Sequence, residues 1–161
     1  MKDLSRRAVT IAIAASAIVG AGIAATTAKA STDYARSAGG LTVYLGVLPA
    51  EIVGGHPPAH PERRMHGGPP AGPHRYHLIA SIFEMATGER ISDAAVTGKV
   101  SGLGLSGPET TFEPMPLADT TTYGAFIYLP GADLYTILLS VRRPGATKPV
   151  LLEFKYDHRR E

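Results

Sequence analysis

The 161-residue sequence contains no cysteine. That absence excludes a disulfide framework, a thiol nucleophile, a thiolate-bound zinc or iron–sulfur centre and a lipid-modified cysteine. Long hydrophobic runs are missing after residue 30, and an apolar helix needs about 20 residues to cross a bilayer. An excess of either charge is missing too once the N-terminus is set aside. The chain has 16 Lys and Arg against 14 Asp and Glu. Lys2, Arg6, Arg7 and Lys29 fall in the first thirty residues beside one acid, Asp3, which leaves 12 bases and 13 acids in the remainder. The alkaline isoelectric point therefore belongs to the N-terminus. The rest lacks the basic surplus that nucleic acid or an anionic membrane surface would require.

The N-terminus has the form of an export signal. MKDLSRR is a short basic start, AVTIAIAASAIVGAGIAATT is apolar, and AKA before Ser31 is a small-x-small cleavage site. Ala and Gly dominate the apolar part, where a permanent anchor favours Leu and Ile. Residues 1–30 are therefore expected to be a cleaved signal, by a Sec or a twin-arginine route (Ser5-Arg6-Arg7 is a partial match to the latter). The expected location is the periplasm, with no membrane insertion after cleavage. Residues 31–40 read as a short linker and 41–158 as one domain.

From Leu41 on, apolar residues alternate in short runs that Gly or Pro interrupts too often for helices of ordinary length. Strands are predicted at 41–48, 76–85, 94–100, 122–129, 134–141 and 150–156, with a further short one near 109–114. ATGE, LPGAD and RPGATKP supply tight turns, so the strands pair antiparallel. Alternation places Tyr135, Ile137, Leu139 and Val141 on one face and Val150, Leu152, Phe154 and Tyr156 on another, both turned to the core. Met85, following Phe83 at strand spacing, reads as core filler. About seven strands in this length predict an all-β, immunoglobulin-like antiparallel β-sandwich.

The chemistry concentrates in HPPAHPERRMHGGPPAGPHRYH, residues 56–77, which holds five of the six histidines and overlaps a His-, Pro- and Gly-rich loop at 54–75. Imidazole binds copper, zinc, nickel and iron, and a thioether adds affinity mainly for Cu(I), so His with Met favours copper over hard ions. Met65-His66 offers both ligand types side by side, and Gly67 and Gly68 let the chain fold back. The expected site is Met65, His66 and His77, with His74 and Met115 as further ligands. His158 is a further candidate, because it continues the parity of the last strand. His56 and His60, each followed by proline, read as at most a weaker, mobile collar. The plainer reading is that histidines in such a loop are solvated and bind nothing. Arg63 and Arg64 beside Glu62 read as a solvated charge run.

No catalytic machinery is legible. The acids are scattered at turns, GLSGPE lacks a nucleophile-elbow spacing, and SGLGLSG leads into Pro108 and not into a helix. The chain is read as no enzyme.

The order of export signal, MHGG and HRYH, the turn TGERISDAAV, the segment EPMPLADTTTYGAF and LPGADLYTILLSVRRPG resembles small periplasmic immunoglobulin-like domains linked to metal handling. YtkA-like and FixH-like domains, and the periplasmic copper- or iron-binding accessory proteins of metal uptake, are such groups. The resemblance implies a soft-metal site, carried over here to Met65, His66, His77 and Met115. Its cofactor would be copper, with iron second. The implied partners are a metal ion and a membrane transporter or oxidase-assembly protein. The rival function is an envelope interaction module in which the histidines are incidental.

Overall fold

A computed structural model describes residues 33–64, 67–117 and 119–160. The export-signal reading, Met65 and His66 lie outside the described residues. Eight antiparallel strands form the fold, against about seven expected. They are β1 (Ala35–Ala38), β2 (Leu41–Pro49), β3 (Arg75–Glu84), β4 (Ala95–Gly102), β5 (Leu105–Leu117), β6 (Thr120–Tyr128), β7 (Leu134–Arg142) and β8 (Val150–Asp157). Their order is β1-β2-β3-β6-β5-β4-β7-β8, and β1 packs against β8, so the sheet nearly closes into a barrel. Two short helices, α1 (Ala50–Gly54) and α2 (Pro61–Arg64), stand in what the sequence reads as loop.

The additional strand is β1. It occupies the expected linker, where ARSA has no apolar signal, and it pairs with β2 through a turn at Gly39 and Gly40, both at positive φ (54° and 79°). β5 is longer than expected because it serves two neighbours in turn. Val96 pairs with Phe112 on the β4 side, and from Glu113 onward the strand pairs with β6 instead. Each half of β5 therefore keeps one unpaired edge. Pro108, Pro114 and Pro116 can sit in the strand for that reason, since proline is tolerated where no ladder N–H is required. Those prolines are why the sequence suggests only a short strand near 109–114.

Alternation held where it was sharpest. Tyr135, Ile137, Leu139 and Val141 are buried, as are Leu152, Phe154 and Tyr156, and they meet Leu41, Val43, Leu78, Ala80 and Ile82 in one core. Met85 is exposed and no part of it. Gly98 is part of that packing: a Cβ there would lie 2.6 Å from the ring of Phe112 and 3.0 Å from Leu139. Gly98→Val is therefore expected to overpack the core at a cost of about 1–3 kcal/mol. A denaturant midpoint equal to that of the unchanged protein would contradict it.

Tyr123 ties the β3–β4 connection to the barrel. Its hydroxyl accepts the Ala94 N–H at 2.9 Å and donates to the Ile91 carbonyl at 3.4 Å. Burial pushes the phenol above its ordinary value of 10.0, opposed by the Ala94 hydrogen bond and aided by Asp93. Tyr135, whose hydroxyl donates to the Pro130 carbonyl at 2.6 Å, is raised mainly by burial as well. Both groups keep their protons longer folded than unfolded. Their contribution is complete below pH 10.0 and is lost as pH rises through the folded values. Thermal melts are expected to hold steady up to pH 10.0 from this source and to fall above it. Tyr123→Phe, which strands the Ala94 N–H, should cost about 0.5–1.5 kcal/mol at neutral pH and soften the alkaline fall.

Candidate metal centre

The chain leaving β2 builds the site within fifteen residues. α1 ends when the Gly55 N–H caps the Glu51 and Ile52 carbonyls, and the His56 N–H bonds to the Val53 carbonyl. Pro57 and Pro58 then stiffen a turn closed by the His60 N–H on the Pro57 carbonyl at 2.9 Å. α2 starts at once, with the Arg63 N–H on the His60 carbonyl at 3.1 Å. The Arg63 guanidinium donates back to the His56 carbonyl at 2.5 Å, which pins α2 to the end of α1.

These bonds bring three ligand-type side chains together. The His56 and His60 rings stack at 4.2 Å between centroids and 17° between planes. Their common neighbour is Glu62, buried within α2: Oε2 lies 3.5 Å from His56 Nε2 and 4.0 Å from His60 Nδ1. One ligand atom from each residue falls within 4.8 Å of the others. His60 Nδ1 is buried without a hydrogen-bond partner among the described residues. Ligand atoms about 2.1 Å from a tetrahedral ion stand about 3.4 Å apart. The His56–Glu62 separation of 3.5 Å already meets that spacing, and His60 Nδ1, 4.0 Å from Glu62, stands somewhat wider.

The remaining candidates are dispersed. His77 is fully buried in β3 beside Phe126, ring centroids 4.9 Å apart, on the outer face of the sheet. Register puts it opposite Leu48 and Phe126, and α1 packs over β3 there. Met115 is buried on the same outer face, in β5, but opposite Thr122. Phe126 and Thr122 are four residues apart on β6, about 13 Å at strand rise, so His77 and Met115 do not meet around one ion. His74 has a φ of 61° and turns its exposed ring edge-on to Tyr128.

His158 goes elsewhere altogether. Its Nδ1–H donates to the Gly131 carbonyl and its Nε2 accepts from the Tyr76 hydroxyl, both at 2.6 Å, among the rings of Tyr76, Tyr135 and Tyr156. Tyr76 and His77 are neighbours in β3 and so point to opposite faces of the sheet. Both His158 nitrogens are committed to closing that end of the core.

Among the described residues, which include neither Met65 nor His66, the cluster that forms differs from the set the sequence places first. The two histidines read as a loose collar are those the fold places together, and their third member is the acid assigned to a solvated charge run. The spacing His56-x3-His60-x-Glu62 was the available signal, hidden because the prolines between suggested a mobile loop. Among the described residues no other three His, Asp or Glu side chains converge in this way.

An all-β, barrel-like antiparallel domain with a His-His-Glu cluster on a short helical insertion is the class these features define. Among solved structures, its fold is similar to that of FetP from uropathogenic Escherichia coli strain F11. A copper-bound variant of FetP is 20% identical with a TM-score of 0.56, over 76% of this chain and 92% of that one. FetP as isolated, expressed in the periplasm of E. coli, is 19% identical with a TM-score of 0.59, over 80% and 95%. A DUF4426 family protein from Pseudomonas aeruginosa PAO1 is 15% identical with a TM-score of 0.54, over 78% and 96%. No family model and no curated protein matches the chain.

Proposed function

We propose that this chain is a non-enzymatic periplasmic metal-binding protein for copper, or after it iron, and that His56, His60 and Glu62 hold the ion. The observation that carries this reading is the approach of three ligand atoms to within 4.8 Å, with His60 Nδ1 buried and without a hydrogen-bond partner among the described residues. Two imidazoles and a carboxylate suit a borderline divalent ion, and Cu(II) binds such donors most tightly of the first-row series. The same set accepts iron(II). Met65 and His66 stand three and four residues after Glu62 in sequence, and we propose them as the donors that extend the site toward Cu(I). The copper-bound variant of FetP gives the fold similarity a matching chemistry, and the signal-like N-terminus supports the location. The fold reads as an immunoglobulin-like sandwich whose two half-sheets share β5. Storage, delivery to a membrane transporter or oxidase-assembly partner, and resistance are the roles such binding would serve.

Competition titrations with Cu(II) and Cu(I) test the reading. His60→Ala and Glu62→Gln are expected to weaken Cu(II) by at least about 10–100-fold. Met65→Leu should act mainly on Cu(I), and His74→Ala on neither. Equal Cu(II) affinity in the unchanged protein, His60→Ala and Glu62→Gln would refute it.

A further inference from the structure

The barrel has two seams, and they are built differently. Where β1 meets β8, the Asp33 N–H bonds to the Lys155 carbonyl at 2.6 Å, the Lys155 N–H to the Asp33 carboxylate at 3.1 Å and the Arg36 Nε to the Glu153 carbonyl at 3.1 Å. That seam is laced shut. Between β5 and β6 the ladder stops halfway. β6 pairs with β5 only over Thr120–Gly124, and beyond it Ala125–Tyr128 pair with β3 alone. The opposite wall, β5 up to Phe112, pairs with β4 alone.

In an antiparallel ladder alternate residues aim their N–H and C=O groups at opposite neighbours. Both walls of the open seam therefore present a row of ladder groups with no strand between them. The space is a cavity of about 400 Å³ bounded by Gly107 and Thr110 on one side and Phe126, Ile127 and Tyr128 on the other, with Arg75 beside it. A bulge adjoins it, where Gly107 and Pro108 together face the single residue Val100 between the pairs Lys99–Glu109 and Ser101–Ser106. Bulges of this kind re-aim a strand beside a binding site. Arg75 rests over the Tyr128 ring at 4.9 Å and forms no ion pair among the described residues.

We propose that this open seam is a docking groove for an extended, largely apolar peptide segment of a partner protein, bearing an acidic side chain that meets Arg75. Two rows of backbone donors and acceptors at strand spacing are matched by another extended backbone, and a compact small molecule answers few of them. The apolar walls supply the side-chain pockets, and the Arg75 guanidinium fixes the sign of the charge. Because the two walls run antiparallel, the inserted strand lies parallel to one and antiparallel to the other.

Selection of phage-displayed random decapeptides on the purified protein tests this without metal and so independently of the ion site. Enriched peptides are expected to alternate apolar residues, to carry an acid, and to slow amide exchange at 105–111 and 125–128. Arg75→Gln, at an exposed position, should weaken them about tenfold. Thr110→Trp, once its circular dichroism matches that of the unchanged protein, should abolish binding. The proposal is overturned if no peptide is enriched, if protection falls on another surface, or if Arg75→Gln binds equally well. Occupation of the seam by the aromatic anion anilinonaphthalene sulfonate with no peptide enriched would assign it to small ligands, and overturn it too.

Discussion

Phe154→Ala is expected to destabilise the domain by about 3–5 kcal/mol, the usual cost of removing a fully buried aromatic ring. Phe154 has no exposed surface and lies in β8 opposite Ile137, inside the single core. A domain of this size has about 5–15 kcal/mol of stability in all, and the chain has no cysteine with which to cross-link it. The loss should lower the melting temperature by roughly 10–20 °C and place the variant close to unfolding at physiological temperature. Leu151 gives the control: it lies in the same strand but is 57% exposed, so Leu151→Ala should stay within about 0.5 kcal/mol. Similar melting shifts for the two variants would mean that the inward face of β8 is wrongly assigned.

Copper(II) at a free concentration 100 times its dissociation constant is expected to stabilise the protein by about 2.7 kcal/mol, provided that only the folded state binds it. The condition makes this measurement informative. Loose histidines bind metal as well unfolded as folded, so a mobile His-rich loop would leave the melting temperature unchanged or lower it. A site assembled by the α1 cap, the Pro57–His60 turn and the Arg63 anchor exists only in the folded chain. Glu62→Gln, weakening Cu(II) by at least about 10-fold, should cut the stabilisation at the same free copper concentration to about 1.4 kcal/mol or less, each protein being compared with its own metal-free state. A copper stabilisation that Glu62→Gln leaves undiminished would remove Glu62 from the site.

The strands that were legible are those whose alternation is decided by one buried face. β7 and β8 read correctly because Tyr135 to Val141 and Leu152 to Tyr156 change environment at every residue. β1 was hidden because ARSA buries almost nothing and is held by backbone pairing with β2 and by side-chain hydrogen bonds such as that of Arg36 to the Glu153 carbonyl. β5 was legible only in part, near 109–114, because its prolines obscured the rest; their acceptability depends on which edge is unpaired, a property of the fold and of no local pattern. For the metal centre, residue type was legible but convergence was not. His158 shows why: strand parity carries its side chain toward the core as expected, yet Tyr76 and Gly131 engage both ring nitrogens there. Whether an imidazole is available to an ion depends on neighbours that are distant in sequence.

The lacing of β1 to β8 also bears on when the chain can fold. Asp33 and Lys155 are separated by 122 positions, nearly the whole length of the domain. Contacts of such long range form slowly, because the loop between them must first be closed against its entropy. The barrel therefore cannot shut until its final strand has been synthesised, and if it has been exported in an unfolded state, until that strand has cleared the pore. Up to that moment the first strand is a bare edge of four residues. Its brevity, with Arg36 at its centre, makes it a poor template for self-association during the wait.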